Sequence, residues 1–183
     1  MATVQPTLKI DSLVKPLSDL QQAGTSAQKN KLTLIVISGD FDKVFAAFTI
    51  ASGAAAIGMD VVMFFTFWGL KAIQTGALTG RGLFARMAGL MNRGGLGAIG
   101  PSRLNFGGMG RWMFKLMMKQ RGVAGLPELR QACIDLGVRF LPCETSMQVL
   151  ELQKNDFIPE AEASVGVATM LEHARESKIQ LFI

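Results

Sequence analysis

KLTLIVISGDFDKVFAAFTIASGAAAIGMDVVMFFT, residues 31–66, decides the fold. Lys31 to Gly39 is an apolar, β-branched run of strand length that ends in small residues, as expected of a parallel strand buried on both faces. Asp40 and Asp42 follow, where a carboxylate can cap a helix that begins near Lys43 and runs to about Ile57. That helix is Ala-rich on most sides, so it is expected to be covered. Ile57-Gly-Met-Asp60 reads as a helix end and a strand start, and Asp60 to Thr66 is a second buried strand. Strand, covered helix and strand make a βαβ unit, which is right-handed in nearly all proteins.

The same stretch disfavours two other readings. Val44 to Leu70 is apolar enough to resemble a membrane span of about 20 residues, but Asp60 interrupts it, and a charge near the middle of an isolated span is costly. Helix plus strand is therefore the preferred reading. Ser38-Gly-Asp-Phe-Asp42 holds one glycine and two carboxylates, which repel phosphate, so a nucleotide is disfavoured and no cofactor is expected.

Outward from this unit the alternation continues. A helical signal runs from Leu70 to about Thr75, and shorter helices are expected over Leu83–Asn92 and Met109–Gln120, with a mobile loop over Gly94–Gly110. Leu126-Pro-Glu128 opens a helix that ends at Gly137, and Val138–Pro142 is a third strand. Cys143 opens a helix reaching about Leu152, Ser164–Glu176 is the last helix, and Ile179–Ile183 is the last strand. The expected fold is α/β, an open parallel sheet with helices on both faces, in which ligands sit at the carboxyl ends of strands.

The chain has 183 residues, 49% apolar and 18% charged, which is enough for one core and excludes intrinsic disorder. Residues 1–30 carry Pro6, Pro16 and a polar run and read as an arm or linker, with no secretory signal. Residues 31–183 read as a single α/β domain with a basic, Gly- and Met-rich insertion at about 76–121. The net charge of +5 is unevenly placed, because no acidic residue lies between Asp60 and Glu128 while nine Lys and Arg do. The body is thus weakly acidic and the lobe strongly basic. The lobe admits a nucleic-acid surface, a membrane-surface helix at Arg111–Lys119, a lid or partner-docking lobe, or a solvated insertion with a Met-filled core helix. Phe84, Phe106, Trp112 and Phe114 are interleaved with its cations, yet no recognised nucleic-acid module surrounds them, and nucleic acid is disfavoured. Peripheral membrane contact stays open.

Two cysteines cannot form a disulfide scaffold, so a reducing, cytoplasmic location is expected. Cys143 stands where a strand ends and a helix begins, and unsatisfied backbone amides there favour thiolate. It is a nucleophile candidate or a small buried hydrophobe. Glu144 opposes ionisation, and the cations of residues 71–121 favour it if they fold over the same edge. Cys133 shares an apolar helix face with Leu129 and Leu136 and is assigned to packing; a helix end and a strand separate it from Cys143, beyond the approximately 7 Å limit for a disulfide. His173, the single histidine, reads as a solvated helix residue, and no metal site is expected.

Several blocks together resemble a known family. Phe64-Phe-Thr-Phe-Trp-Gly-Leu70, Gly108-Met-Gly-Arg-Trp-Met-Phe-Lys-Leu-Met-Met-Lys119, Pro142-Cys-Glu-Thr-Ser-Met147, Gly166-Val-Ala-Thr-Met-Leu171 and Leu181-Phe-Ile183 are similar to the DsrE/DsrF/DsrH-like sulfur-relay proteins, in the branch labelled peroxiredoxin-like. No peroxidatic Thr-x-x-Cys motif accompanies that label. The resemblance covers residues 31–183. It implies a flavodoxin-like sheet, homo-oligomers, and a strand-end cysteine, here Cys143, that carries a persulfide exchanged with partners such as TusA-like carriers. On that reading the chain is a sulfurtransferase or sulfur carrier. The amides of Thr145 and Ser146 would hold the persulfide anion. Gly39, Asp40, Phe67 and Trp68 would wall the pocket, and Arg103, Arg111, Lys115 and Lys119 would dock the partner. The alternative is a non-catalytic protein that docks an acidic partner or an anionic membrane through residues 71–121.

Overall fold

The computed structural model describes residues 29–77, 79, 86–87, 93–103 and 108–183. The expected arm at 1–30 therefore lies almost wholly outside the described residues, as does the expected helix over Leu83–Asn92 apart from Arg86 and Met87. Four strands, β1 (Lys29–Val36), β2 (Asp60–Phe65), β3 (Arg139–Pro142) and β4 (Ser177–Phe182), form one sheet in the order β3-β2-β1-β4. Every pairing is parallel. The expected βαβ unit is completed by α1 (Phe41–Ala56), and Val44–Leu70 divides into helix, strand and turn. Among the described residues no helix is long and apolar enough to cross a membrane.

Alternation along the strands produces two cores. Leu32, Leu34, Val36, Val61, Met63, Phe65 and Phe140 face α1 and, beyond it, α3 (Leu126–Asp135). Phe48, Phe65 and Phe140 meet there with ring centroids 5.7–6.4 Å apart, a spacing at which aromatic pairs add to area burial. On the opposite face Val62, Phe64, Leu141 and Cys143 pack under Met170 and Ala174 of α5 (Val167–Glu176). Helices thus cover both faces.

Several local expectations change. Neither Asp40 nor Asp42 caps α1 through its side chain. Asp40 instead accepts from Ser38 and Lys43. Asp42 accepts both the amide and the hydroxyl of Ser102, at 2.9 and 2.8 Å. With the Phe41 amide bonded to the Gly100 carbonyl, this pins residues 93–103 to the body, so that part of the expected mobile loop is anchored. Leu96 and Ile99 are buried there. The helix after Cys143, α4 (Glu144–Val149), stops short of Leu152 because Glu151 turns left-handed at φ 51 and the Leu152 amide closes back on the Met147 carbonyl. α5 starts at Val167 rather than Ser164 because Val165 is held in a parallel bridge to Cys143. Met109–Gln120 is helical as expected and is α2.

His173 is not simply solvated. Its Nδ1 lies 2.7 Å from the Nζ of Lys31, whose side chain is only 4% exposed and which also meets Glu176 at 3.2 Å. A lysine donor requires His173 to be neutral at Nδ1. Burial, then the Lys31 and Arg139 charges, lower its pKa, with Glu176 and Asp60 opposing. A histidine lowered on folding contributes stability above its unfolded value, about 6.5, and loses it as pH falls toward the folded value. Urea midpoints compared at pH 7.5 and 5.5 are therefore expected to drop more for the wild type than for His173→Gln; equal drops would contradict the assignment.

Candidate functional site

The carboxyl ends of β2 and β3 bring the chemically informative residues together. Phe65 pairs with Pro142 across the sheet, so Thr66 and Cys143 emerge side by side, and the Cys143 amide bonds to the Phe65 carbonyl at 2.9 Å. The Glu144 amide goes to the Val165 carbonyl and the Met147 amide to the Cys143 carbonyl. Thr145 and Ser146 lie in the first turn of α4, where amides have no preceding helical carbonyl to meet. These two amides face the sulfur.

Two hydroxyls complete the arrangement. Thr66 Oγ1 and Ser146 Oγ are 2.8 Å apart, and Ser146 is buried. Burial raises the Cys143 thiol. Acting against it are the Ser146 hydroxyl and amide, then the Thr66 hydroxyl and the Thr145 amide, and the thiol ends below its ordinary value. The Cys143 side chain makes no cap hydrogen bond to the α4 backbone, so the amides act as converging dipoles on a large, polarisable sulfur. α4 has only six residues, so local amides rather than a long macrodipole do this. The groups acting most on the sulfur include no cation.

Cys143 is 5% exposed, beneath Val165 and Met170. Cys133 belongs to the other core, is fully buried, and its thiol is pushed up to about 12 by desolvation. Both cysteines are free, on opposite faces of the sheet.

Phe67 and Trp68 follow Thr66 directly and are 46% and 48% exposed. Phe67 has φ 45, a left-handed conformation that costs a non-glycine residue about 1–3 kcal/mol and persists only when its surroundings over-determine it. The surroundings are visible. The Thr66 amide bonds to the Val36 carbonyl, and the Gly69 amide to the carbonyls of Ile37 and Thr66. A Cβ on Gly69 would collide with the Val36 carbonyl, and one on Gly39 would come within 2.6 Å of the Trp68 carbonyl. Gly69→Ala is expected to destabilise the chain by about 1–3 kcal/mol, the cost of overpacking, measured as a lowered urea midpoint. An unchanged midpoint would show that the clamp can yield.

Gly39 and Asp40 follow β1, one strand beyond β2 in the sheet order, and are half-buried, whereas Phe67 and Trp68 are exposed. Arg111 is half-buried and donates to the Gly97 carbonyl at 2.9 Å, which gives it a structural use; Arg103, Lys115 and Lys119 are exposed. Thr66, Val165 and Met170 were not among the expected site residues. Thr66 could have been found by aligning the ends of strands two and three. Among the described residues no three His, Cys, Asp or Glu side chains lie together as a metal site would need.

A family model described as the DsrE/DsrF/DrsH-like family matches residues 28–182. The chain belongs to that family. It is 37% identical over 158 residues to the protein YrkE of Bacillus subtilis, covering 85% of this chain and 98% of that one. It is 32% identical over 162 residues to the sulfur carrier protein DsrE2 of Allochromatium vinosum, covering 85% and 99%. The crystal structure of the ychN protein from E. coli is similar in fold, with a TM-score of 0.53 at 10% identity, covering 84% of this chain and 98% of that one. The DsrE-like fold follows from these relationships.

Proposed function

We propose that the chain is a sulfur carrier or sulfurtransferase that holds sulfane sulfur as a persulfide on Cys143. The observation that supports this best is the convergence of two amides and two hydroxyls on the one thiol that lies below its ordinary pKa, in a chain similar to a sulfur carrier protein. The Cys143 thiolate attacks the outer sulfur of a donor persulfide, forming a Cys143 S–S bond while the donor S–S bond breaks and the donor leaves as thiolate. The anion left on the terminal sulfur is held by the Thr145 and Ser146 amides. A partner thiolate then attacks that sulfur, and Cys143 returns as thiolate. Sulfur moves with no net redox change.

The partner is a TusA-like or other small carrier whose acidic surface meets the basic lobe at the exposed Arg103. Transfer takes place in the reducing environment of the cytoplasm. A homo-oligomer is part of the same proposal: the edge strand β4 presents Ile179, Leu181 and Phe182 largely uncovered, and an exposed apolar edge asks for a partner. Intact-mass measurement of the reduced chain after exposure to polysulfide tests the central claim. One added sulfur atom per chain, removed by a small thiol, is expected; no adduct would overturn it. The rival reading, in which Cys143 is only packed and the basic lobe is the functional part, draws on its low exposure and expects no adduct.

A further inference from the structure

α2 buries the wrong amount of itself for a core helix. Gly110 is its one fully buried residue, while Arg111, Phe114 and Met118 are half-buried. At 100° per residue these four lie on one side, and Phe114 meets Phe41 at 6.0 Å there. Met109, Trp112, Met113 and Leu116 occupy the opposite side, Met117 lies at its edge toward Gly110, and all five are 40–66% exposed. Lys115 and Lys119, one turn apart, flank this apolar side, and neither has an ion-pair partner among the described residues.

We propose that this face of α2 docks on the surface of an anionic lipid bilayer. The chemistry is that of an interfacial helix: an apolar side with Trp at headgroup depth, bordered by lysines, on an element already anchored by its other side. The charge distribution selects the occupant, since nine cations and no acid lie between Asp60 and Glu128. A second copy of the chain would bring the same basic flank against itself, and like charges in contact are costly. Because α2 rests on Phe41, just past the carboxyl end of β1, docking turns that end of the sheet toward the lipid. Cys143 ends β3, two strands away, about 10 Å along the sheet at normal strand spacing.

The proposal stands independently of sulfur chemistry and is tested on the full chain by flotation with vesicles of phosphatidylcholine alone or mixed with phosphatidylglycerol. Binding to the phosphatidylglycerol vesicles is expected, with a blue shift of tryptophan emission that is lost in Trp112→Phe. Lys115→Gln with Lys119→Gln is expected to weaken partitioning roughly thirty-fold at low salt, and raised salt acts in the same direction. Leu116→Glu with Met117→Glu, both exposed and so compatible with folding, removes it. Equal binding to both vesicle types, or binding untouched by the two glutamates, overturns the proposal. So does self-association without lipid that Leu116→Glu abolishes, which would assign the face to a second copy. Salt-sensitive capture by polyglutamate without vesicle binding would assign it to an acidic protein.

Discussion

Cys143→Ser is expected to abolish sulfur loading, while Cys133→Ser leaves it intact. The two cysteines differ in the property that sets nucleophilicity. Cys133 is fully buried among apolar side chains, offers its thiol to the Phe48 carbonyl at 3.5 Å, and is pushed up to about 12. At neutral pH its thiolate is roughly one part in 10⁵, on top of having no exposed surface. Cys143 is drawn the other way by Ser146, Thr66 and Thr145 and is followed directly by the exposed Glu144 and Thr145. Serine keeps the size and the polar contacts of Cys143, so the variant is expected to melt with the wild type, which separates lost chemistry from lost folding. Loading that survives in Cys143→Ser, or disappears in Cys133→Ser, would sink the assignment.

The βαβ unit was legible because strand and helix carry their own periodicities. Leu32, Leu34 and Val36 alternate with Thr33 and Ile35, and α1 presents Val44, Ala47, Phe48 and Ala51 at helical spacing. The position of Cys143 was legible for the same reason, since a strand end followed by a helix start is a local event. What was hidden is what register creates. Thr66 meets Ser146 across 80 residues, Lys31 meets His173 across 142, and Asp42 meets Ser102 across 60. In sequence, Asp42 beside a helix start is indistinguishable from a cap. Only the return of residues 93–103 past that end of the helix supplies the competing donors. The charge of the basic lobe was legible as well, while the dipoles that strand register gathers around the sulfur were not.

Ser146→Ala with Thr66→Val is therefore expected to raise the Cys143 pKa, where removing the lobe's exposed lysines leaves it nearly unchanged. Each hydroxyl favours the thiolate over the thiol, so removing one lets the thiol rise toward its ordinary value. The hydroxyls are coupled, because each has one proton and either can donate to the other. When Ser146 donates to the sulfur, Thr66 can donate to Ser146; with Ser146 shortened to alanine, Thr66 becomes free to turn its proton toward the sulfur. The single variants should thus each fall short of the double, a non-additivity that identifies a shared network rather than two separate contacts. Thiolate titration by absorbance gives the midpoint directly, unaffected by access of an alkylating reagent. A raised pKa lowers the thiolate fraction at pH 7, and sulfur loading is expected to slow in the double variant. A midpoint that stays in place in the double variant but rises with salt would return the effect to long-range cations. One that stays in place and ignores salt would leave the Thr145 and Ser146 amides as the whole of the stabilisation.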